Sequence, residues 1–291
     1  MAIRTEKLGG TDWVDGNVLE AVDLNDTFDA TITYSQLIGG LNKFIDLENN
    51  ASDIQIFTSS GTWNKPIGLT YAYIRVWGGG GGGGAAAVAG YASANLSGGG
   101  GGGSYSEIFL KLEDLPSTVS VTVGAGGLGT VPGTITNPTN GGVSSFGTYI
   151  TTGGGGAGIN ISSNFRAAAG GTPFLEIRSL TPIFGTNNSN NLLTTSGLFS
   201  GAGSASNNVK GNSIYGGGGG GSLQIGSGTA RINYNNNGTS LYGGNGGVAQ
   251  PNPSLPGGDG EIPGGGGGAG GGNSGVKAGD GARGQVEVYC F

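Results

Sequence analysis

Seven consecutive glycines at residues 78–84 constrain this chain more than any other feature, because the block recurs. Residues 98–103, 153–156, 216–221, 264–268 and 270–272 are also unbroken glycine. A segment without side chains has no apolar stripe to bury, and glycine loses more conformational freedom on ordering than any other residue. Of 291 residues 69 are glycine, and fixing them at roughly 1–2 kcal/mol each costs on the order of 100 kcal/mol. Two readings follow. The blocks are either mobile linkers, or extended glycine helices of polyproline-II type, about three residues per turn with about 3.1 Å rise. Such rods approach closely for want of Cβ atoms, and their N–H and C=O groups bond to neighbouring rods, which satisfies a buried backbone. Linkers are ordinarily diluted with Ser, Thr and charge. Here pure blocks abut strand-like sequence such as YAYIRVW, which favours rods. Collagen is excluded by the lack of a G-X-Y period and by only 10 prolines.

The rest of the chain is polar without being charged. Charged residues are 10% of it and the formal net charge is −6. Residues 1–53 carry seven more acids than bases, and the remainder is nearly neutral. No basic stripe exists to neutralise phosphates, so nucleic acid is not an expected partner. With no histidine and one cysteine, Cys290, the chain lacks the means for Ser-His-Asp or Cys-His catalysis, Cys/His zinc sites or an internal disulfide. Gly-x-Gly-x-x-Gly matches arise automatically in glycine runs and carry no cofactor signal. Asp23, Asn25, Asp26 and Asp29 resemble a calcium loop, but Phe28 stands where the turning glycine belongs. No catalytic, cofactor or metal residues are therefore expected, and the chain reads as non-enzymatic. Neither a secretory signal nor an apolar run of spanning length is seen, so synthesis in a cytoplasm and no membrane insertion are expected.

The pattern divides the chain into three parts. In residues 1–53 Leu24, Phe28, Ile32, Leu41, Phe44 and Ile45 recur at helical spacing, which predicts a short helical module for attachment and oligomerisation. So short a stripe needs a packing partner, and self-association supplies one. Residues 54–150 alternate as strands do, with runs at 71–77, 104–112, 118–123 and 143–150, and a last run at 285–289. A strand at the far end of the chain is expected to pair with earlier ones, so that residues 284–291 complete an antiparallel β domain. Residues 151–283 then form a glycine-rich insertion with exposed loops. The expected class is mainly β with polyproline-II-type glycine helices. Cys290 is expected as a buried edge residue.

Segments joining the glycine blocks mix Asn, Ser and Thr with isolated aromatics. Tyr offers large contact area at low entropic cost, and Asn offers adaptable hydrogen bonding. Tyr91, Asn95, Phe165, Tyr215, Tyr234, Asn236 and Tyr242 are the contact candidates for a recognition surface held by rods.

The stretches FTSSGTWNKPIGLTYAYIRVWGGGGGGG (57–84), GGGSYSEIFLKLEDLPSTVSVTVGAGGLG (101–129), SSFGTYITTGGGGAG (144–158) and the closing GARGQVEVYCF resemble the glycine-rich domain of many bacteriophage tail-fibre and other virion proteins. WVDGNVLEAVDLNDTFDA (13–30) resembles, over a shorter stretch, the attachment portions of tail-fibre-like proteins. The glycine blocks are similar in architecture to the tip adhesins of T-even-type fibres, where stacked polyglycine II helices hold receptor-binding loops. The resemblance implies a virion surface subunit, a homotrimer, joined through residues 1–53 to other fibre or baseplate proteins and meeting a host surface protein or glycan through its loops. A purely structural virion decoration or extracellular filament subunit is the alternative.

Overall fold

The computed structural model describes residues 51–85, 96–131, 137–158, 160–161, 198–201, 203, 210–225, 231–232, 237–250, 255–270 and 276–291. The helical module expected over residues 1–53 lies outside these, save its last three residues. Within the described residues the only helical element is a 3-10 turn, Leu112–Asp114. Residues 54–290 form one compact unit, mainly β.

Two four-stranded sheets enclose the core. The first has the order β1-β12-β3-β5, from β1 (Asp53–Phe57), β12 (Gln285–Cys290), β3 (Tyr71–Trp77) and β5 (Tyr105–Lys111). The second is β2-β6-β7-β8, from β2 (Gly61–Asn64), β6 (Thr118–Thr122), β7 (Ser144–Phe146) and β8 (Ile150–Thr152). Alternation places Ala72, Ile74, Val76, Val286, Val288 and Cys290 of the first against Trp63, Val119, Val121, Phe146 and Ile150 of the second, all buried. Trp63 meets the Phe146 ring edge-on at 5.3 Å. The last strand of the chain pairs antiparallel with β3, Val286 opposite Val76 and Val288 opposite Ile74.

Two expectations need correction. Residues 143–150, read as one strand, are parts of two: Gly147 adopts φ +52°, and Tyr149 N–H donates to Phe146 O at 3.1 Å, which folds β7 back onto β8. Glycine takes that left-handed conformation without the Cβ clash. Cys290 is buried as expected, but not at an edge, since β12 lies between β1 and β3.

The glycine segments leave these sheets and bond to one another. Within residues 78–84, Gly78, Gly81 and Gly84 donate to Ser104, Gly101 and Gly98; Gly79 and Gly82 to Gly142 and Thr139; Gly80 and Gly83 to Ala282 and Gly279. The carbonyls repeat the cycle, accepting from Gly155 and Gly158, from Gly127 and Thr130, and from Gly267 and Gly270. Every third residue thus addresses the same neighbour, and one segment is ringed by six. A strand would alternate between two neighbours, and an α-helix would use these groups internally.

Direction follows from register. Segments 78–84, 124–130, 153–158, 216–221, 243–249 and 264–270 run away from the two large sheets, while 98–104, 139–142, 257–261 and 278–284 return. At the remote end lies a third sheet, β11-β10-β4-β9, from β4 (Leu96–Ser97), β9 (Asn160–Ile161), β10 (Leu223–Ile225) and β11 (Arg231–Ile232). These short strands fall in joining segments that composition alone marked as loop.

Candidate functional site

At the sheet end, three of the outgoing segments begin with the same short phrase. Val76-Trp77-Gly78, Ile214-Tyr215-Gly216 and Leu241-Tyr242-Gly243 place an aliphatic and an aromatic residue before the glycine, and Leu198-Phe199-Ser200 repeats the pattern with serine. Two copies share a further device. Ser213 Oγ accepts from Gly216 N–H at 3.1 Å, and Ser240 Oγ accepts from Gly243 N–H at 2.8 Å. Each hydroxyl also donates to the next turn, Ser213 to Leu198 O at 3.3 Å and Ser240 to Gly216 O at 2.6 Å. Successive turns are thereby tied side by side, and Tyr242 N–H donates to Ile214 O at 2.9 Å.

Hydrogen-bonded chains lie about 4.7–4.9 Å apart, so rings carried at equivalent positions must stack. Tyr105 and Tyr215 do so at 5.4 Å and 18°, Tyr215 and Tyr242 at 5.4 Å and 10°, and Phe199 and Tyr215 at 6.1 Å and 25°. Trp77 continues the row, 4.9 Å from Tyr105, and its indole N–H donates to Tyr215 O at 2.8 Å. The row emerges from the sheet edge and ends in solvent: Trp77 and Tyr105 are buried, Tyr215 half-buried, and Tyr242 52% exposed. Beside it Leu198, Ile214 and Leu241 are 37%, 43% and 71% exposed, and Ile262 in the following turn 56%.

Behind the row the outer face of the first sheet holds its ionisable groups. The Arg75 guanidinium stands 5.0 Å over the Trp77 ring and pairs with Glu287 at 3.6 Å. Tyr289 O–H and the Gln285 amide donate to the same carboxylate at 2.8 and 2.7 Å. Tyr73 O–H donates to Glu107 at 2.5 Å, and Tyr105 O–H donates to the same oxygen. Burial first, then the bond to Glu107, holds the Tyr73 hydroxyl well above the usual tyrosine range. Burial, the neighbouring Tyr73 and the same carboxylate do so for Tyr105. These bonds lock the strand face.

Of the seven contact candidates, the structure brings Tyr215 and Tyr242 together. Tyr91, Asn95, Phe165, Tyr234 and Asn236 lie outside the described residues, as do Leu24, Phe28, Ile32, Leu41, Phe44 and Ile45. The described residues that flank them, Ala85 and Leu96 for Tyr91 and Asn95, and Ile232 and Asn237 for Tyr234 and Asn236, lie at the end of the bonded segments remote from the tyrosine row. The aliphatic neighbours of the row escaped the sequence reading. The signal for them was present: Ser-Ile-Tyr-Gly at 213–216 recurs as Ser-Leu-Tyr-Gly at 240–243.

A family model described as a glycine-rich domain matches residues 57–290. The chain belongs to that family. No curated protein matches it. The matched span runs from Phe57, the last residue of β1, to Cys290, the last of β12, so β3, β5 and β12 of the first sheet, the whole second sheet and the bonded glycine segments described above belong to it.

Proposed function

We propose that the chain is a non-enzymatic virion fibre or adhesin subunit, attached through residues 1–53, whose glycine segments are polyproline-II-type rods presenting loops to a host surface protein or glycan. The observation that carries this is the polarity of the bonded segments. The joining segments 86–95, 132–136, 204–209, 226–230 and 233–236, 251–254 and 271–275 all attach at the end remote from the two large sheets. Both attachment points of each of these are thus held on one side of a backbone-bonded block, the arrangement expected of a scaffold with recognition loops, whereas 162–197, which carries Phe165, joins Ile161 at the remote end to Leu198 at the sheet end. The threefold rotation of hydrogen-bond partners supports the rod geometry. Tyr91, Asn95, Phe165, Tyr234 and Asn236 are the proposed contact residues.

Saturable binding of the purified chain to host cells tests the proposal. Replacing 86–95 or 233–236 with short Gly-Ser sequence abolishes that binding while leaving the fold intact. Full binding by both replacements refutes the receptor role. A filament or decoration subunit is the second reading, favoured by the exposed aliphatic row, and it predicts concentration-dependent assembly without cell binding.

A further inference from the structure

Segment 78–84 is ringed by six bonded neighbours, but segment 98–104 has described neighbours at five positions: 78–84, 153–158, 198–203, 216–221 and 264–270. The cycle of hydrogen bonds locates the sixth. The N–H groups of 98–104 point in turn at 264–270, 153–158 and 198–203. Its carbonyls point between these directions. Gly98, Gly101 and Ser104 O accept from 78–84, and Gly100 and Gly103 O accept from 216–221. Gly99 and Gly102 O therefore face the third direction, between 153–158 and 198–203. Segment 153–158 presents donors to the same position. Gly155 and Gly158 N–H go to 78–84 and Ala157 N–H to Asn140 Oδ1, which turns Gly153 and Gly156 N–H toward it. Among the described residues nothing donates to those two carbonyls and nothing accepts from those two N–H groups. Gly99 and Gly102 are nonetheless buried, and buried backbone groups are costly to leave without partners.

We propose that this position is the docking site of residues 167–171, Ala-Ala-Ala-Gly-Gly, entering as one more bonded segment. Connectivity selects that occupant. The chain goes out through 153–158 to Ile161 at the remote end and resumes at Leu198 at the sheet end, entering 198–203. Residues 162–197 must return between those ends, and the open position runs that way between their own two flanking segments. Side-chain size agrees. Within 162–197 the only run of five residues with nothing larger than a methyl group is 167–171, and contact between bonded segments is close: a Cβ on Gly155 would stand 2.0 Å from Gly101 O. Described segments border the position on three sides, which leaves room for methyl groups on the others, as Ala125 and Leu128 are exposed on the outer side of 124–130. The interval agrees as well. Gly99 and Gly102, like Gly153 and Gly156, are three residues apart, the repeat of a threefold rod and not of a strand. Phe165 then stays at the remote end with the other proposed contact residues, and 172–197 leaves at the sheet end. The inference rests on the rod reading of the glycine segments and is independent of what the loops bind.

Amide hydrogen exchange of the full chain, resolved by residue, tests this. In the wild-type chain Gly153 and Gly156 exchange as slowly as Gly155 and Gly158, at every protein concentration. Replacing 167–171 with Gln-Lys-Gln-Glu-Gln, whose side chains do not fit between backbones, removes the protection of Gly153 and Gly156. Gly155 and Gly158 keep theirs and so report that the block is folded. Replacement with five glycines leaves all four protected. Should the bulky replacement prevent folding, the milder Gly170→Leu accelerates exchange at Gly153 and Gly156 and at no other amide of 153–158. Rapid exchange of Gly153 and Gly156 in a wild-type chain whose Gly155 and Gly158 are slow overturns the proposal. So does protection that survives in a folded bulky variant or in Gly170→Leu, and so does protection lost on dilution, which would assign the position to a second copy. Rapid exchange at all four amides overturns the rod reading together with this inference, whereas host-cell binding that survives loop replacement overturns the receptor role alone.

Discussion

Replacing Gly81 with alanine probes the reason these segments must be glycine. Gly81 donates to Gly101 O at 2.9 Å and accepts from Gly267 N–H at 2.8 Å, so two sides of its backbone are bonded. Its third side faces residues 155–156. A Cβ there would stand 2.5 Å from the carbonyl carbon of Gly156, nearer still to its oxygen, and 2.9 Å from Gly155 O. No flexible side chain can yield, because every atom met is backbone. The neighbouring segment must shift, at about 1–3 kcal/mol for overpacking. Gly156 O also accepts from Gly101 N–H at 2.8 Å, and disturbing that bond adds roughly 1 kcal/mol. Alanine recovers only about 0.4–1 kcal/mol by restricting the unfolded chain. The net loss is about 1–3.5 kcal/mol, a fall in Tm of very roughly 2–14 °C at about 2–4 °C per kcal/mol. Gly61→Ala is the control, since its Cβ would meet only the Phe57 ring at 3.7 and 3.8 Å, an ordinary contact. Guanidinium denaturation followed by tryptophan fluorescence measures both. If Gly81→Ala matches the wild-type midpoint while Gly61→Ala does too, the segments are not packed backbone against backbone, and the scaffold reasoning is wrong.

Other consequences are open to measurement. Tyr73 and Tyr105 are raised above the ordinary value near 10, so their stabilising contribution is complete below pH 10 and is lost as pH rises further, when the unfolded chain releases those protons first. Alkaline titration by phenolate absorbance should show two tyrosines ionising only with unfolding; their ionisation along with the exposed ones would refute the buried network. Arg75→Met leaves Glu287, whose side chain is 12% exposed, without its cation, and should cost about 2–4 kcal/mol, softened by the Tyr289 and Gln285 donors. Adding Glu287→Gln should restore most of the loss in chemical denaturation. Ser240→Ala removes the acceptor of Gly243 N–H and the donor to Gly216 O, at about 1–3 kcal/mol, and amide hydrogen exchange at Gly243 should accelerate.

What the sequence determined on its own is local. Alternation in YAYIRVW, TVSVT and QVEVY marks strands, because period-two side chains put Ile74 and Val76, or Val119 and Val121, on a face that must be covered. Where a single residue redirects the chain, local reading falters: Val143 to Ile150 has strand composition throughout, and only the left-handed Gly147 turns it into a hairpin. The short strands Leu223–Ile225 and Arg231–Ile232 were hidden for the opposite reason, since two or three residues hold too little pattern to register.

The glycine blocks mark the limit most clearly. A residue with no side chain carries no face preference, so the sequence shows that residues 78–84 are able to approach other backbones without showing which ones. Register decides it, and register is set by the sheets at each end: β3 fixes where 78–84 begins and β5 where 98–104 ends, and their pairing puts Gly81 beside Gly101. The same tertiary spacing brings Tyr215 and Tyr242, 27 residues apart in the chain, to 5.4 Å. Composition made both tyrosines candidates for contact. Their stacking, and the aliphatic row beside them, exist only because hydrogen-bonded backbones hold neighbouring turns one chain-width apart.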